Sequence, residues 1–286
     1  MSMYFGSVKF FKNLILAVVI LAIGTASAFA IYYHHKWVQT RPADGDDAFA
    51  FRTYSAVDSD AIDYQSLYPD FYAPQPYHAT QRQSGMIYLT FDGTPSSYTT
   101  DILAILKEKK VKATFFLSGS LEDLDAETLN AIVADGHTIG MGACSGDFQS
   151  LYSSVASYLT DLYQLFTYIK DTTGVTPSVF RFPGGSVNSY NATLYQELIA
   201  EMIRRGFVPY DWNIDLADMN GSYSTQTVLD TTMARLSTMD RAILLLRSDA
   251  SAVELLSSLI DNLSDQHFTC SPLKSDVKPV LFAYPQ

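Results

Sequence analysis

Charged residues follow several apolar segments of this 286-residue chain, at the point where each segment ends. A carboxylate in such a position can act as a general base, and an arginine can hold a carboxylate or stabilise a developing negative charge. A single acidic residue there is also compatible with a capping or loop role. Several of them together predict a pocket lined with carboxylates and arginines. These residues are Asp92, Arg181, Asp215, Asp218 and Arg247.

Short apolar runs alternate with segments in which apolar residues recur every three or four positions. The short runs are typical of buried strands, and the periodic segments are typical of amphipathic helices. The predicted strands lie at 86–91, 113–117, 137–141, 179–182 and 242–246, with one or two more within 207–214. The predicted helices lie at 99–110, 126–134, 151–170, 194–205, 225–236 and 253–263.

This alternation predicts an α/β fold built on a parallel sheet. About seven such units in about 200 residues suit a closed, irregular (β/α) barrel, and an open doubly wound sheet is the alternative. In both architectures the carboxyl ends of the strands lie at one edge of the sheet. The charged residues that follow the strands are therefore expected to meet there.

The N-terminal region predicts export. Residues 14–33 carry no charge, and an apolar run of about 20 residues is long enough to span a bilayer as a helix. Lys9 and Lys12 precede it without any acidic residue, which places residues 1–13 in the cytoplasm. Small residues at 26–30 leave a cleaved signal peptide open as the alternative. Either interpretation exports the rest of the chain, and the anchor predicts a single-pass protein of the cell membrane.

The exported part divides by composition. Residues 34–84 are rich in Asp, Tyr, Pro, Gln and Ser and have no sustained periodicity, which indicates a spacer with at most a short strip packed through its tyrosines. Residues 85–286 contain all of the βα periodicity. We therefore expect this domain to fold without the first 84 residues.

Composition excludes some partners. The formal net charge is -11 and no run rich in lysine or arginine is present, so a nucleic-acid partner is not expected. Cys144 and Cys270 match no zinc-finger or CxxC spacing and are predicted to be buried free thiols, with a disulfide left open.

Five segments at or next to the predicted strands carry a further signal. They are 90–95 (TFDGTP), 136–146 (GHTIGMGACSG), 180–188 (FRFPGGSVN), 211–218 (DWNIDLAD) and 243–249 (ILLLRSD). In this order they resemble the five motifs of the polysaccharide deacetylase (NodB homology) family, of which the first is T-F-D-D-G-P, the second G-H-E-I-G-N-H-T-Y-S-H and the fifth I-L-L-M-H-D-S. The resemblance implies a barrel of seven or eight βα units that removes N- or O-acetyl groups from a polysaccharide such as peptidoglycan or chitin.

The resemblance also implies roles for individual residues. Asp92 matches the general base, Arg181 the arginine that orients it, and Asp215 an aspartate that tunes the acid. These three are the predicted catalytic residues. The predicted substrate-binding residues are Pro183, Gly184, Trp212, Asp218 and Arg247.

The chain departs from the family at the metal. In the family an aspartate and two histidines hold a divalent metal, usually zinc, and a further histidine is the acid. Here Gly93, Gly142 and Gly146 stand at the three ligand positions, and Arg247 stands at the acid. No two histidines stand four residues apart to replace them. We therefore predict no metal and no cofactor.

Two possibilities for a metal stay open. One is a hard oxygen site for Mg²⁺ or Ca²⁺ formed by Asp92, Asp215 and Asp218. The other is a zinc site rebuilt by mutation. The four-residue spacing of the second motif is unchanged, so Gly93→Asp, Gly142→His and Gly146→His, together with Arg247→His at the acid position, are expected to rebuild it.

The first hypothesis is a membrane-anchored, degenerate family member that binds an acetylated glycan such as peptidoglycan. The second is an active deacetylase that needs no metal and uses Asp92 as its base. The third is a non-catalytic structural or assembly protein of the envelope.

Overall fold

The computed structural model describes residues 63–75, 77, 84–217 and 223–283. The predicted membrane segment at 14–33 lies outside these residues, as does most of the predicted spacer. Within the described part, no helix is both long and apolar enough to cross a membrane.

Strands and helices alternate along the described chain, as the periodicity predicts. The strands are β1 (Met86–Gly93), β2 (Thr114–Leu117), β3 (Thr138–Met141), β4 (Val179–Phe180), β5 (Val208–Pro209), β6 (Ile214–Asp215), β7 (Arg241–Arg247) and β8 (Thr269–Cys270). The α-helices are α1 (Ser97–Glu108), α2 (Ala126–Ala134), α3 (Phe148–Leu151), α4 (Val155–Thr173), α5 (Tyr195–Arg204), α6 (Thr225–Leu236) and α7 (Ala250–Asp265). Short 3-10 turns occupy Asp63–Ser66 and Leu121–Asp123.

The one helix predicted across 151–170 is two helices. Ser154 interrupts it with extended backbone, and its side chain accepts a hydrogen bond from the Ser157 N–H, which caps α4. A serine at this position satisfies one of the free N–H groups at a helix start, so the chain turns there instead of continuing. The helix ends at Gly174, which has the left-handed conformation typical of a glycine cap.

The sheet is parallel throughout, with the strand order β5-β4-β3-β2-β1-β7-β6 and with β8 paired to the start of β1. It curls into a half-barrel. β5 and β6 stand at the two ends of this order, so pairing among the described strands does not close the barrel that the sequence predicts. Residues near the C-terminus lie between these ends: the Asp211 N–H donates to the Val280 carbonyl.

Side chains alternate between the two faces of the curled sheet. One face packs under the helices in the main core, and the other forms a smaller interior cluster. Tyr88, Phe116 and Ile243 belong to this interior cluster. Because Asp92 is in register with Phe116 on β2 and with Arg247 on β7, all three lie on the interior face. The interior therefore ends, at the carboxyl edge of the strands, in polar side chains.

Part of the predicted spacer packs on the domain. Phe71 is fully buried, with its ring 5.0 Å from that of Phe166 and 4.7 Å from that of Phe207. The buried Arg205 donates hydrogen bonds to backbone carbonyls of this segment, at 2.8 Å to Leu67 and 3.0 Å to Tyr68. We call residues 63–75 the strip. Tyrosines contribute to its packing, as expected.

Both cysteines are free thiols, as predicted, but each is half-buried instead of fully buried. Burial and the neighbouring Asp161 carboxylate raise the pKa of Cys144 to about 12, and burial raises the pKa of Cys270 to about 11. Neither thiol is therefore activated as a nucleophile.

Candidate functional site

An ion pair between Asp92 and Arg181 lies at the carboxyl edge of the sheet. Asp92 is on β1, and Arg181 directly follows β4. The Arg181 Nη1 donates to Asp92 Oδ1 at 2.6 Å, with the arginine 2% and the aspartate 31% exposed. The predicted hydrogen-bonding contact between these two residues is confirmed. The carboxylate faces the mouth of the half-barrel, while the guanidinium lies beneath it.

Backbone carbonyls and a hydroxyl fix the Arg181 guanidinium. It donates to the Tyr210 carbonyl at 2.8 Å, the Asp211 carbonyl at 3.2 Å and Thr90 Oγ1 at 2.9 Å. Its carbon lies 4.2 Å from the centre of the Phe116 ring, a cation–π distance. A planar guanidinium suits this many directed contacts. Arg181 thus joins β1, β4 and the segment after β5.

Burial sets the protonation behaviour of Asp92. Desolvation raises its pKa, and this effect exceeds the lowering by the Arg181 charge and hydrogen bond. Asp215 raises the same pKa further, and Arg247 lowers it. These influences indicate that Asp215 and Arg247 face the same mouth, as the strand register also implies. The predicted residue Asp218 lies outside the described residues.

The loop after β4 holds two of the predicted substrate-binding positions, Pro183 and Gly184, and Trp212 follows β5. The Tyr152 hydroxyl donates to the Pro183 carbonyl at 2.8 Å, and Asn188 Nδ2 donates to the same oxygen at 3.1 Å. The Trp212 ring meets the Phe282 ring edge-on, 4.9 Å between centres. The loop and an aromatic wall therefore lie on one side of the mouth.

Asp211 joins the loop after β4 to the segment that carries Phe282. It was not predicted from the sequence as a functional residue. It is fully buried and accepts hydrogen bonds from the Ser186 N–H at 2.8 Å, from the Ser186 hydroxyl and from the Phe282 N–H at 2.7 Å. Burial raises its pKa to about 6, although these donors and Arg181 oppose the shift. Its position at the start of the fourth motif was the available signal.

A second unpredicted carboxylate holds the loop of the second motif. Asp161 on α4 accepts hydrogen bonds from the Cys144 N–H and the Ser145 N–H, both at 2.8 Å. An acidic residue among the apolar positions of a helix was the signal for it. Asp161 positions the backbone next to the family's two histidine positions.

The residues present do not fit the family's metal. The motif resemblance puts Gly93, Gly142 and Gly146 at the three ligand positions, and glycine has no side-chain donor. Among the described residues, no group of three or more His, Cys, Asp or Glu side chains could hold an ion. His137 does not substitute: its Nδ1 accepts from the Ala113 N–H, and burial lowers its pKa to about 4.

A curled parallel sheet with a carboxylate–guanidinium pair at its mouth defines a polysaccharide deacetylase-type fold. The family model described as polysaccharide deacetylase matches residues 79–203. The chain is therefore similar to this family over residues 79–203. It is 32% identical over 146 residues to a peptidoglycan-N-acetylglucosamine deacetylase of Bacillus cereus, covering 51% of each chain. The chain thus spans about half the length of that relative.

Solved structures have the same fold. The catalytic domain of a peptidoglycan N-acetylglucosamine deacetylase from Eubacterium rectale superposes with a TM-score of 0.68 at 27% identity, covering 73% of this chain and 97% of that one. A protein of Bacillus anthracis described as a CE4 family pseudoenzyme superposes with a TM-score of 0.58 at 22% identity, covering 70% of this chain and 68% of that one. At this identity the second likeness concerns the fold alone.

Proposed function

We propose that this protein is an envelope protein that binds an acetylated cell-wall glycan, such as peptidoglycan, without the metal-dependent deacetylation of its family. One observation carries the proposal. The pair of Asp92 and Arg181 is intact in a polar mouth, whereas glycine stands at every metal-ligand position and Arg247 at the acid position.

Binding is supported by what remains at the mouth. The aromatic wall of Trp212 and Phe282 offers an apolar face for a sugar ring, and Asp92 offers a hydrogen-bond acceptor. Arg247 is exposed at the end of β7 and can pair with a carboxylate or another anionic group. The relatives named as peptidoglycan-N-acetylglucosamine deacetylases support an acetylated glycan as the ligand.

The missing groups argue against efficient hydrolysis. A catalytic metal contributes several kcal/mol of transition-state stabilisation. A positioned general acid contributes roughly 10²–10⁴-fold in rate. Arg247 cannot replace the acid, because an arginine keeps its proton with a pKa above about 12. Without both groups, deacetylation should be close to the uncatalysed rate.

A metal-independent deacetylase is the second candidate, favoured by one observation. The raised pKa of Asp92 makes it a stronger base than an ordinary aspartate, and Arg181 holds it in a fixed orientation. In this alternative Asp92 would take a proton from the water that attacks the acetyl carbonyl carbon, and Arg247 would stabilise the negative charge that forms on the carbonyl oxygen. The protonated Asp92 would then give the proton to the leaving amine as the C–N bond breaks.

One experiment separates these functions. The purified full chain is assayed for bound zinc, for acetate release from an acetylated glucosamine oligomer, and for sedimentation with purified peptidoglycan. We expect no stoichiometric zinc, no acetate above the blank, and retention on peptidoglycan. Acetate release without zinc would support the second candidate. Absence of both release and retention would favour a purely structural or assembly role.

The membrane location is part of the proposal. It rests on the uncharged segment at 14–33 and the lysines that precede it. Protease treatment of spheroplasts should digest the domain from outside, and the mass of the protein should show that residues 1–33 are retained. A mature protein that begins after residue 30 would mean a cleaved signal peptide instead of an anchor.

A further inference from the structure

We infer that more than the ligand side chains of the metal site is missing. The backbone and the neighbouring strand also no longer accommodate those side chains. The inference rests on the proposed function, since it concerns the same mouth. It corrects the expectation that side-chain substitution alone rebuilds the site, because the space for one ligand is occupied and the backbone at another is strained for any side chain.

The space beside Gly142 is filled. A methyl group placed on Gly142 would lie 2.7 Å from the Leu117 carbonyl oxygen and closer still to the Ser118 hydroxyl oxygen. Carbon and oxygen atoms that are not bonded to each other do not approach this closely. The Leu117 oxygen is a backbone atom that accepts the Gly142 N–H at 2.8 Å, so moving it breaks a bond between β2 and β3. Even alanine therefore does not fit at Gly142 without a shift.

Strand β2 supplies the atoms that fill this space. Phe116 and Gly140 are in register, as are Leu117 and Met141, so Ser118 stands beside Gly142. At Gly140 a methyl group would lie 2.5 Å from the Phe116 ring. The side chains of Phe116 on β2 and of Ser118 just after β2 thus extend across Gly140 on β3 and Gly142 just after β3.

The backbone of Ser118 cannot easily move aside. Its N–H donates to the Gly93 carbonyl at 3.2 Å, and its carbonyl accepts from the Thr94 hydroxyl at 2.7 Å. The next N–H, of Gly119, donates to the Ala143 carbonyl at 2.9 Å. The turn after β2 is therefore tied to both neighbouring strand ends, and shifting its backbone would break these bonds.

The other two ligand positions differ from Gly142. Gly93 has open space around a hypothetical side chain, but its φ of +133° is a conformation that residues with a side chain rarely adopt. Gly146 also has open space, and no such backbone restriction is present. Of the three, only Gly146 accepts a side chain at no structural cost.

The test compares single Cβ additions in the full chain. Gly142→Ala should lower the melting temperature by about 5 °C or more, as expected for overpacking. Gly146→Ala, the matched control from the same loop, should shift it by about 1 °C at most. A Gly142→Ala variant as stable as the Gly146→Ala variant would overturn the inference.

Two further variants cover the case in which Gly142→Ala fails to fold. Ser118→Gly together with Gly142→Ala should recover only part of the lost melting temperature, since the Leu117 carbonyl remains. Full recovery would show that the Ser118 side chain alone excludes the alanine side chain, which would contradict a backbone cause. The quadruple variant Gly93→Asp, Gly142→His, Gly146→His, Arg247→His should bind no stoichiometric zinc. One zinc per chain with unchanged stability would also overturn the inference.

Failure of the proposed function and failure of this inference give different results. Acetate release by the parent protein without bound zinc would refute the proposed function, yet would leave the relative stabilities of Gly142→Ala and Gly146→Ala unchanged. Conversely, a Gly142 that tolerates alanine leaves glycan binding by the parent intact.

Discussion

The two sides of the mouth differ in how they are held together. On the Arg181 side, one guanidinium joins a carboxylate, a hydroxyl and two backbone carbonyls. On the β2–β3 side, Gly142 stands at a proposed ligand position, and a backbone carbonyl and the Ser118 side chain fill the space beside it. Arg181 therefore holds several segments together, whereas a glycine at position 142 has no side chain that could join strands.

The largest expected effect concerns Arg181. Arg181→Met leaves Asp92 and two carbonyls without their donor, which should reduce the free energy of unfolding by about 3–5 kcal/mol. Chemical denaturation measures this. Arg181→Lys, which keeps the charge but lacks the planar set of donors, should lose less. If Arg181→Met were as stable as the parent, the Arg181 side would have no structural role.

The strip packs on α4 and on Phe207, which lies just before β5. Phe71→Ala should reduce the free energy of unfolding by about 3 kcal/mol, because the ring is fully buried against Phe166 and Phe207. Gln75→Ala changes an exposed residue of the strip and should have no measurable effect. Equal stability of the two variants would restore the domain boundary at residue 85 that the sequence predicts.

Asp211 should make the free energy of unfolding depend on pH. Burial raises its pKa from 3.8 to about 6, so between these values the native protein holds a proton that the unfolded chain has released. Stability therefore falls as the pH rises through this interval, by up to about 3 kcal/mol. Asp211→Asn should lack this component. Thermal unfolding of both proteins from pH 4 to pH 7 measures it, and identical slopes would contradict the assignment.

The smallest effect on stability is expected at Arg247. Arg247→Ala should change the free energy of unfolding by less than about 0.5 kcal/mol, because the side chain is exposed. It should weaken retention on peptidoglycan by roughly tenfold, if a charge-assisted hydrogen bond to the glycan is lost. Lys110→Ala removes the same charge after the end of α1, just before β2, and should leave retention unchanged. Equal retention by both variants would remove Arg247 from the binding site.

The amino-acid sequence alone determined the strands and helices that carry strong periodicity, the parallel sheet and the contact between Asp92 and Arg181. These follow from local pattern and from the rule that parallel strands end at one edge. The resemblance of its motifs predicts that the ligand positions are glycine. The sequence predicted a closed barrel, because the number of units does not reveal whether the first and last strands pair.

Only the tertiary structure decided why those glycines matter. Gly142 and Gly146 are four residues apart in one motif and look equivalent in the sequence, yet one faces the Leu117 carbonyl and Ser118 while the other faces open space. The burial of Asp211 and the docking of Phe71 depend in the same way on segments distant along the chain. The physical reason is that steric exclusion and desolvation are set by atoms from other strands, which the local sequence pattern does not contain.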